Sequence, residues 1–401
     1  MKKVLFPRVR FKGFDDNWEQ GNIGEVFELT RGEVLSQRKI RNKKMGEYIY
    51  PVFSSQTLNN GLLGFYNNFL FKNSITWTTD GANAGTVLYR DGLFYATNVC
   101  GVMLQKTSIK PSSYFAHEIN VKVKKHVIKA GNPKLMINVL HEVLINFSKN
   151  KLEQEKISIL IENIDNLITL EEIKHNKLKQ LKETLLQKMF PEGNSKTPRI
   201  RFKGFEEEWS EERLEEIGQT YTGLSGKTKK DFGHGNSRYI TYLNIFNNPI
   251  ANLKGLDRIE KDCKQNSVKY GDIFVTTSSE IPEEVGMTSI WPFKDKENIY
   301  LNSFCFGIRL NNINNYYINF LAYNLRNNEL RKDIVLLAQG ISRFNISNRR
   351  FMKLNILLPN ISEQQKIGDF FSKIDNLLNL YNSKLNKLKQ IKEGLLQKMF
   401  V

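Results

Sequence analysis

The 401-residue sequence has few of the residues that build disulfide frameworks, metal sites or membrane spans. Its three cysteines (Cys100, Cys263 and Cys305) include no C-x-x-C pair, which argues against disulfides and zinc and favours a reducing compartment. Five scattered histidines form no ligand set or catalytic triad. No apolar run reaches the roughly eighteen residues of a membrane helix, and Pro7 and Arg8 stand where a signal-peptide core would continue. These absences predict a soluble, cytoplasmic protein without a metal site.

The sequence also lacks the motifs of common nucleotide- and DNA-modifying catalysts. GLSGKT (223–228) is similar to a phosphate loop, but that loop needs four residues between its glycines, and Tyr221 occupies the first glycine's position. NNPI (247–250) and GNPK (131–134) are not the N-P-P-Y or D-P-P-Y motif of adenine methylation. PEE (282–284) has no following acidic-x-Lys strand to complete a nuclease metal site. The sequence therefore predicts no catalytic residue and no cofactor in this chain.

Basic residues, in contrast, are abundant. The chain has 59 Lys and Arg against 42 Asp and Glu, which gives a net charge of +17. A field of this sign attracts polyanions, and nucleic acid is the commonest polyanion of a cytoplasm. The alternative is that an AT-rich genome favours lysine codons, since the sequence is also rich in asparagine.

Two pairs of long repeats show that the chain is a tandem duplication. PRVRFKGFDDNW (7–18) matches PRIRFKGFEEEW (198–209) at eight of twelve positions, with an offset of 191. LKQLKETLLQKMF (178–190) matches LKQIKEGLLQKMF (388–400) at eleven of thirteen positions, with an offset of 210. EQEKISILIENIDNL (153–167) matches the segment that begins at Glu363 at this second offset. The ends of the two copies therefore match, whereas their middles differ by nineteen residues in length and in sequence.

The matching tails predict two long helices. A heptad-like apolar seam follows Ile157, Leu160, Ile164, Leu167, Leu178, Leu181 and Leu185 in the first copy, and Ile367, Phe370, Ile374, Leu377, Leu388, Ile391 and Leu395 in the second. Roughly forty residues make a helix of about 60 Å. We expect the two to pack antiparallel, with residue 157 opposite the end near 395 and Glu171 beside Lys384. The alternative is that each helix folds back on its own domain.

The divergent middles predict mixed α/β domains. DGLFYATNVCGVML (91–104) and YGDIFVTTSS (270–279) are typical of strands, and 315–335 is typical of a helix with one apolar face. Antiparallel helices would bring residue 401 close to residue 7, much as Phe190 runs into Pro198. The predicted fold is α/β (α+β), with two globular domains in a pseudo-two-fold tandem repeat on two antiparallel coiled-coil helices.

The sequence resembles a specificity subunit of a type I restriction–modification system over essentially its whole length. The repeats quoted above and AQGISRFNISNRRFMKLNILLP (338–359) carry the resemblance. It implies a target recognition domain in 1–150 and 198–361, a spacer helix in 151–190 and 362–401, and a linker in 191–197. Each domain would read one half of a split double-stranded DNA site, and the spacer would set the gap. Two methyltransferase subunits would dock on the spacer, and restriction subunits would join them.

The resemblance implies that S-adenosylmethionine, ATP and Mg²⁺ belong to the partner subunits. One departure is that the first domain closes with LINFSKNKLEQEKI (144–157) and lacks the proline of LNILLPNISEQQKI (354–367). We nevertheless align Gly131 and Lys134 with Gly340 and Arg343. Two other functions stay open: a free-standing sequence-specific DNA-binding regulator, and a coiled-coil adaptor that does not bind DNA.

Candidate DNA contacts are basic, amide and hydroxyl side chains on predicted loops, because these donate to bases and phosphates. In the first domain they are Arg31, Lys39, Arg41, Lys43, Lys44, Ser54, Ser55, Gln56, Thr78, Thr79, Asn83 and Lys134. In the second they are Thr222, Ser225, Lys227, Thr228, Lys229, Lys230, Thr276, Thr277, Ser278, Ser279, Gln339 and Arg343. The basic residues at 39–44 and 227–230 favour phosphates. WTTDG (77–81) and VTTSS (275–279) are expected at similar places, each at a strand's end.

Overall fold

A computed structural model of the chain describes residues 6–55, 58–294 and 298–400, which form two compact units. Unit 1 comprises Met1–Glu172 together with Ser383–Val401, and unit 2 comprises Ile173–Asn382. Each unit therefore combines a globular α/β part with segments of both long helices.

Unit 1 is built on a six-stranded sheet in the order β2-β7-β5-β6-β3-β4, with a separate two-stranded ribbon, β1-β8. Its strands are β1 (Glu19–Asn22), β2 (Phe27–Arg31), β3 (Tyr50–Phe53), β4 (Leu62–Tyr66), β5 (Phe71–Thr78), β6 (Val87–Ala96), β7 (Cys100–Gln105) and β8 (Leu144–Phe147). Its helices are α1 (Ile23–Val26), α2 (Ser113–Val123), α3 (Ile137–His141) and the first part of α4 (Lys151–Lys188). Neighbouring strands pair antiparallel except β3 and β6, which pair parallel.

Unit 2 contains the same strand pairs in more pieces, in the orders β10-β17-β13-β15, β12-β11-β16, β14-β18 and β9-β19. Its strands are β9 (Ser210–Arg213), β10 (Gly218–Thr222), β11 (Phe232–Ile240), β12 (Leu256–Ile259), β13 (Ile273–Thr276), β14 (Ser278–Ser279), β15 (Thr288–Ile290), β16 (Ile299–Leu301), β17 (Cys305–Leu310), β18 (Phe344–Asn345) and β19 (Asn355–Leu358). Its helices are α5 (Leu214–Ile217), α6 (Tyr242–Asn247), α7 (Ile318–Asn324), α8 (Asn328–Leu336), α9 (Asn348–Phe351) and the first part of α10 (Ile361–Met399).

All three elements predicted for the divergent middles are divided in the structure, and the segment 270–279 holds β13 and β14. The segment 91–104 holds the end of β6 and most of β7, which a turn at 97–99 separates. The predicted helix 315–335 is α7 followed by α8, because Asn327 caps a new helix by accepting a hydrogen bond from the Leu330 amide (2.9 Å). A single-helix prediction was therefore wrong at Leu325–Asn327, where the apolar periodicity continues across a turn.

Both long helices begin with the same cap. The Asn150 side chain accepts a hydrogen bond from the Leu152 amide (3.0 Å), and the Asn360 side chain accepts one from the Glu363 amide (3.0 Å). Asparagine is a strong helix N-cap because it satisfies an amide that lacks an intrahelical partner. The caps therefore account for the start of α4 and α10 at matching points of the two copies.

The long helices pack antiparallel within each unit. In unit 1, Ile164 and Ile168 of α4 share a hydrophobic cluster with Leu385, Leu388 and Leu395 of α10. In unit 2, the later part of α4 contributes Leu178, Leu185 and Leu186 to the core that also holds Ile367, Phe371 and Ile374 of α10. The antiparallel prediction is confirmed.

Charged pairs flank this packing, and one of them occurs in both units at positions related by the 210-residue offset. Lys384 lies 3.0 Å from Glu171, as predicted, and Lys392 lies 2.5 Å from Asp165 in unit 1. In unit 2, Lys182 donates to Asp375, which is the repeat of the Asp165 pair. Because a shifted register would separate each of these pairs, they select one alignment of the helices.

The seam keeps part of the predicted pattern, but at other steps it shifts by one residue toward the C-terminus. Ile161, Phe371 and Leu385 are buried, whereas four predicted members are about half exposed: Leu167 (47%), Leu181 (51%), Leu377 (44%) and Ile391 (43%). Several steps offer two adjacent apolar residues, such as Leu160–Ile161 and Leu167–Ile168. Only the packing partner decides which of the two faces inward, and here it is the second. Ile157, Ile164, Ile367 and Ile374 are buried, and Leu160, Leu178, Leu185, Phe370, Leu388 and Leu395 are partly buried.

The repeated motifs meet at one junction in each unit. Arg10 makes a bidentate ion pair with the fully buried Glu153 (2.6 and 2.9 Å), and Arg201 pairs in the same way with Glu363 (2.7 and 2.8 Å). The Val9 amide donates to the Lys398 carbonyl (3.0 Å), and Ile200 donates to Lys188 (2.8 Å).

Aromatic contacts complete the two junctions. Trp18 packs edge-on against Phe400, and Trp209 packs in the same way against Phe190. The predicted proximity of the chain's end to its beginning is confirmed by the contacts of residues 398 and 400; Val401 lies outside the described residues. The repeats are thus conserved between the two copies because they bind one another.

Candidate nucleic-acid interface

The double-threonine segments occupy equivalent turns in the two units, as predicted. Thr78 ends β5 and Thr276 ends β13. The next residue, Thr79 or Thr277, donates its hydroxyl to the carbonyl of Val99 (3.0 Å) or Phe304 (2.8 Å). Equivalent backbone bonds follow, since Leu135 donates to Thr79 and Ile346 donates to Thr277, each at 2.9 Å.

Each of these turns carries a short hairpin of the same length. In unit 1 the hairpin 128–134 is closed by reciprocal backbone bonds between Ile128 and Lys134 (2.9 and 3.0 Å). In unit 2 the hairpin 339–345 is closed by reciprocal bonds between Gln339 and Asn345 (2.9 and 2.8 Å). The structural offset is therefore 211, which aligns Lys134 with Asn345. The sequence alignment of Lys134 with Arg343 and of Gly131 with Gly340 was wrong by two residues.

Four predicted DNA contacts are corrected, because their side chains lie beneath the surface. Thr78, Thr79, Thr276 and Ser278 are at most 8% exposed. The Thr79 hydroxyl also contacts Asp80 (2.7 Å), and the Thr276 hydroxyl accepts from the Met287 amide (2.9 Å). These hydroxyls hold the turn in place, since a buried polar group needs an internal partner. Thr277 and Ser279 are half-buried at the rim.

In unit 1 the basic candidates at 39–44 lie on the loop that precedes β3, whereas Arg31 ends β2 at the opposite edge of the sheet. Arg31, Lys39, Arg41, Lys43 and Lys44 are exposed. The loop is held against β4, because Arg41 and Phe65 exchange backbone hydrogen bonds (2.9 and 2.8 Å) and Lys44 lies 5.5 Å from the Phe65 ring centre. Its basic side chains are thus displayed from a supported loop.

The remaining unit 1 candidates lie outside this loop. The half-buried Asn83 side chain donates to the Ser55 carbonyl (3.4 Å), and Ser54 is half-buried as well. Gln56 lies outside the described residues. Lys134 is exposed and lies 3.8 Å from Asp80.

In unit 2 the glycine-rich loop is tied to an acidic turn. Lys227 donates to Asp262 (2.7 Å), and this bond is the first cause that lowers the pKa of Asp262 to about 2. Thr228 donates through its amide and hydroxyl to Asp231 (2.6 and 2.9 Å). Thr222 and Ser225 are exposed beside Asn266 and Gln265, which bond to their backbones. Lys229 and Lys230 are exposed, so they are the better placed cations of this loop.

Arg343 and Gln339 lie on the hairpin of unit 2 and are exposed. The Arg343 guanidinium lies 5.4 Å from the ring centre of Phe304 and donates to the Ser278 hydroxyl (3.3 Å). Phe304 is 52% exposed, and Ile341, at the hairpin tip, is 98% exposed. Sequence reasoning missed both apolar residues, because a search restricted to polar donors ignores them.

Two other arginines, Arg90 and Arg326, have structural roles. Burial lowers the pKa of Arg90 to about 10; its side chain donates to Thr76 (3.0 Å) and to the Asn60 carbonyl (2.8 Å). Burial lowers the pKa of Arg326 to about 9, and its guanidinium donates to four backbone carbonyls, including those of Thr288 and Ile245. These two guanidinium groups donate to hydrogen-bond acceptors inside their own domains, so they are not free to bind a ligand.

Within residues 6–55, 58–294 and 298–400, no group of three His, Cys, Asp or Glu side chains is placed to hold a metal ion. Over the same residues, no helix is both long enough and apolar enough to span a membrane.

Comparison with known proteins identifies relatives along the whole chain. The family described as Type I restriction modification DNA specificity domain matches residues 15–180 and 206–390. A putative type I specificity subunit N-terminus from Mycoplasma pneumoniae is 39% identical over 142 residues, which cover 35% of this chain and 74% of that protein. Five further putative specificity subunits of that organism match over 39% to 63% of their own length.

Proteins that match over the full length of the chain have a lower sequence identity to it. The type I restriction enzyme MjaVIII specificity subunit of Methanocaldococcus jannaschii is 21% identical over 98% of this chain and 95% of its own. The crystal structure of the type I restriction-modification system S subunit from M. genitalium superposes with a TM-score of 0.65 at 19% identity, over 99% of both chains. That structure has the same fold.

Proposed function

This chain belongs to the type I restriction–modification DNA specificity family, and from that membership we propose that each unit reads one half of a split DNA site. The specificity subunit is the non-catalytic, DNA-recognising component of a type I system. The finer division of labour proposed for this chain assigns one target recognition domain to residues 1–150 and the other to 198–361.

One observation carries this proposal. The two units hold the same threonine turn and the same hairpin on matching backbone hydrogen bonds, but the exposed side chains around them differ. Unit 1 offers a lysine- and arginine-rich loop, whereas unit 2 offers Arg343 and Ile341 on its hairpin. A common scaffold with different exposed side chains supports two reading surfaces with different base preferences, since base edges are read by exposed side chains.

The long helices are proposed as the spacer and as the docking surface for two methyltransferase subunits. In unit 1 the α4 residues Leu152, Ile159 and Leu170 are each more than half exposed. At about 100° per residue they fall within roughly 20° of one line along the helix. Unpaired apolar residues aligned on a helix are typical of a protein interface.

Further partners follow from the same proposal. Restriction subunits would join the complex through the methyltransferase subunits, and S-adenosylmethionine, ATP and Mg²⁺ would be bound by those partners rather than by this chain. Double-stranded DNA would contact the exposed lysines and arginines of both units through its phosphates.

The test is to co-express the chain with its cognate methyltransferase subunit and to map methylated adenines on genomic DNA by long-read sequencing. We expect a split motif with one methylated adenine in each half and an unread gap of constant length. A stable complex that methylates without any motif contradicts the proposal and favours an adaptor without sequence preference. Tight, specific binding by the chain alone favours a free-standing regulator instead.

A further inference from the structure

The hairpin 339–345 of unit 2 has features that a structural turn does not require. Its tip presents Ile341, which is 98% exposed, on a loop that also carries the exposed side chains of Ser342 and Arg343. An isoleucine in this position contributes nothing to the hydrophobic core of its own domain. Together with the adjacent Arg343, it is therefore available for a contact outside the chain.

The hairpin holds these residues on a rigid support. Reciprocal backbone bonds close it at Gln339 and Asn345, and the Ile346 amide ties it to Thr277 (2.9 Å). Gly340 has a φ of +140°, and a Cβ atom there would lie 2.1 Å from the Arg343 carbonyl oxygen. Only glycine permits this approach, so the observed conformation of the tip depends on Gly340.

Arg343 is oriented but keeps most of its donors free. The exposed Phe304 ring lies under its guanidinium, and among the described residues its side chain makes one hydrogen bond, to Ser278. No carboxylate in the described part of the chain lies within ion-pair distance of Arg343, although Glu280 and Glu284 line the same surface cavity. A guanidinium held in this way is prepared to donate two parallel hydrogen bonds to a planar acceptor pair.

We propose that the hairpin 339–345 enters a DNA groove, where Arg343 donates to the O6 and N7 atoms of a guanine and Ile341 contacts an adjacent thymine methyl group. Phe304 is a positioning residue, because it orients the guanidinium and does not itself touch the base. The inference rests on the proposed function and makes it specific, since it names two adjacent bases in the half-site that unit 2 reads. Arginine to guanine is the commonest specific contact in the major groove, and thymine methyls accept apolar side chains.

The equivalent hairpin of unit 1 explains why this reading is confined to one half-site. At the 211-residue offset, Ala130 stands in place of Ile341 and Asn132 in place of Arg343. Val99 stands in place of Phe304, because its carbonyl accepts from the Thr79 hydroxyl as that of Phe304 does from Thr277. Unit 1 therefore lacks both the aromatic ring beneath the guanidinium and the exposed isoleucine at the hairpin tip. It reads its half-site by other side chains.

The experiment uses the full chain in complex with its methyltransferase subunit and duplexes that carry the site mapped for the unchanged protein, substituted at one base pair at a time. Arg343→Gln is expected to lose discrimination at one G·C pair of one half-site by about tenfold to a hundredfold. The matched control Arg349→Gln removes an exposed arginine from α9 and is expected to weaken binding to all duplexes alike. An unchanged preference at every position in Arg343→Gln overturns the inference.

Two further variants separate positioning from folding. Phe304→Ala is expected to relax the same base pair as Arg343→Gln, and Phe304→Tyr to restore it, because a tyrosine ring supports the guanidinium equally well. Ile341→Ser is expected to lose preference for the neighbouring A·T pair, whereas Leu336→Ser, which alters an 82% exposed leucine on α8, is expected to retain it. Equal effects of the two serine variants contradict a specific contact by Ile341.

The failure of this inference is distinguishable from the failure of the proposed function. If the unchanged protein yields a split motif and the hairpin variants reproduce that motif, only the hairpin inference is wrong. If the unchanged protein yields no motif, the proposed function itself is wrong.

Discussion

Glu118 of α2 is a fully buried carboxylate whose chemistry makes unit 1 sensitive to pH. Its Oε1 atom accepts a hydrogen bond from the Asn146 amide (2.9 Å), and Lys122 lies 3.8 Å away. Burial is the main cause that raises the pKa of Glu118 to about 7. In unit 2 the hydrogen bond between helix and strand is made by an uncharged side chain, because Asn324 of α7 donates to the Leu357 carbonyl of β19 (2.9 Å).

The raised pKa predicts that unit 1 loses stability as the pH rises. Below about 4.5 both the folded and the unfolded states hold the proton, so no penalty exists. Between about 4.5 and 7 the unfolded chain releases the proton first, and the loss reaches roughly 3 kcal/mol above that window. Glu118→Gln should abolish this dependence, as measured by hydrogen exchange of the α2 and β8 peptides at pH 5 and 8. Retention of the full pH effect in Glu118→Gln, with exposed Glu142→Gln as the control, would assign it to another group.

The Arg10–Glu153 pair gives a second prediction. Removing Arg10 leaves the Glu153 carboxylate buried without its bidentate partner, so Arg10→Ala should destabilise unit 1 by about 3–5 kcal/mol. The double variant Arg10→Met with Glu153→Met should recover most of that loss, because it removes the buried charge as well. Chemical unfolding monitored by tryptophan fluorescence provides the measurement. The exposed Lys149–Glu19 pair is the control, and Lys149→Ala should cost less than about 1 kcal/mol.

Arg201→Ala should have the same effect in unit 2, since its pair with Glu363 has the same geometry and burial. A destabilisation confined to one of the two variants would show that the two junctions are not energetically equivalent.

At the scale of the element, the long helices show how local pattern and packing differ. The sequence offers Leu160 and Ile161 as neighbours, and only Ile161 is fully buried. Ile161→Ala should therefore destabilise unit 1 by about 2–4 kcal/mol, through lost burial and the cavity left behind. Leu167→Ala removes a side chain that is 47% exposed and should cost less than about 1 kcal/mol.

Urea unfolding of both variants is the measurement for this seam prediction. Equal destabilisation by the two substitutions would contradict the observed seam and favour the phase predicted from the heptad pattern.

At the scale of the whole molecule, each unit is completed by a segment from the other copy of the repeat. Unit 1 contains the last nineteen residues of the sequence, Ser383–Val401, and the start of unit 2 at Ile173 lies in the middle of α4. The boundaries after Glu172 and after Asn382 are separated by the 210-residue offset of the repeat. The two units therefore have equivalent boundaries in the repeat.

The spacer proposal predicts the outcome of changing helix length. Inserting seven residues after Glu172 and seven after Asn382 keeps the heptad phase and lengthens both helices by about 10 Å. The methylation motif should then keep both half-sites while its gap grows by roughly three base pairs. Altered half-sites with an unchanged gap would contradict a spacer role, and replacing residues 20–150 by those of a relative should change one half-site only.

The amino-acid sequence by itself determined the duplication, the two long antiparallel helices and the Glu171–Lys384 pair. These features follow from repeats and from charge and apolar periodicity, which are local or pairwise properties of the chain. It also predicted the equivalent threonine turns, because each follows a recognisable strand.

Only the tertiary structure decided which face of each long helix is buried, since Leu160–Ile161 and Leu167–Ile168 satisfy the apolar pattern equally well. It also decided that Thr78, Thr79, Thr276 and Ser278 serve the turn, because their burial depends on residues distant in sequence such as Val99 and Phe304. The two-residue error in aligning the hairpins has the same origin. Hairpin register is set by backbone hydrogen bonds to the threonine turn, and these are made by peptide groups that every residue shares.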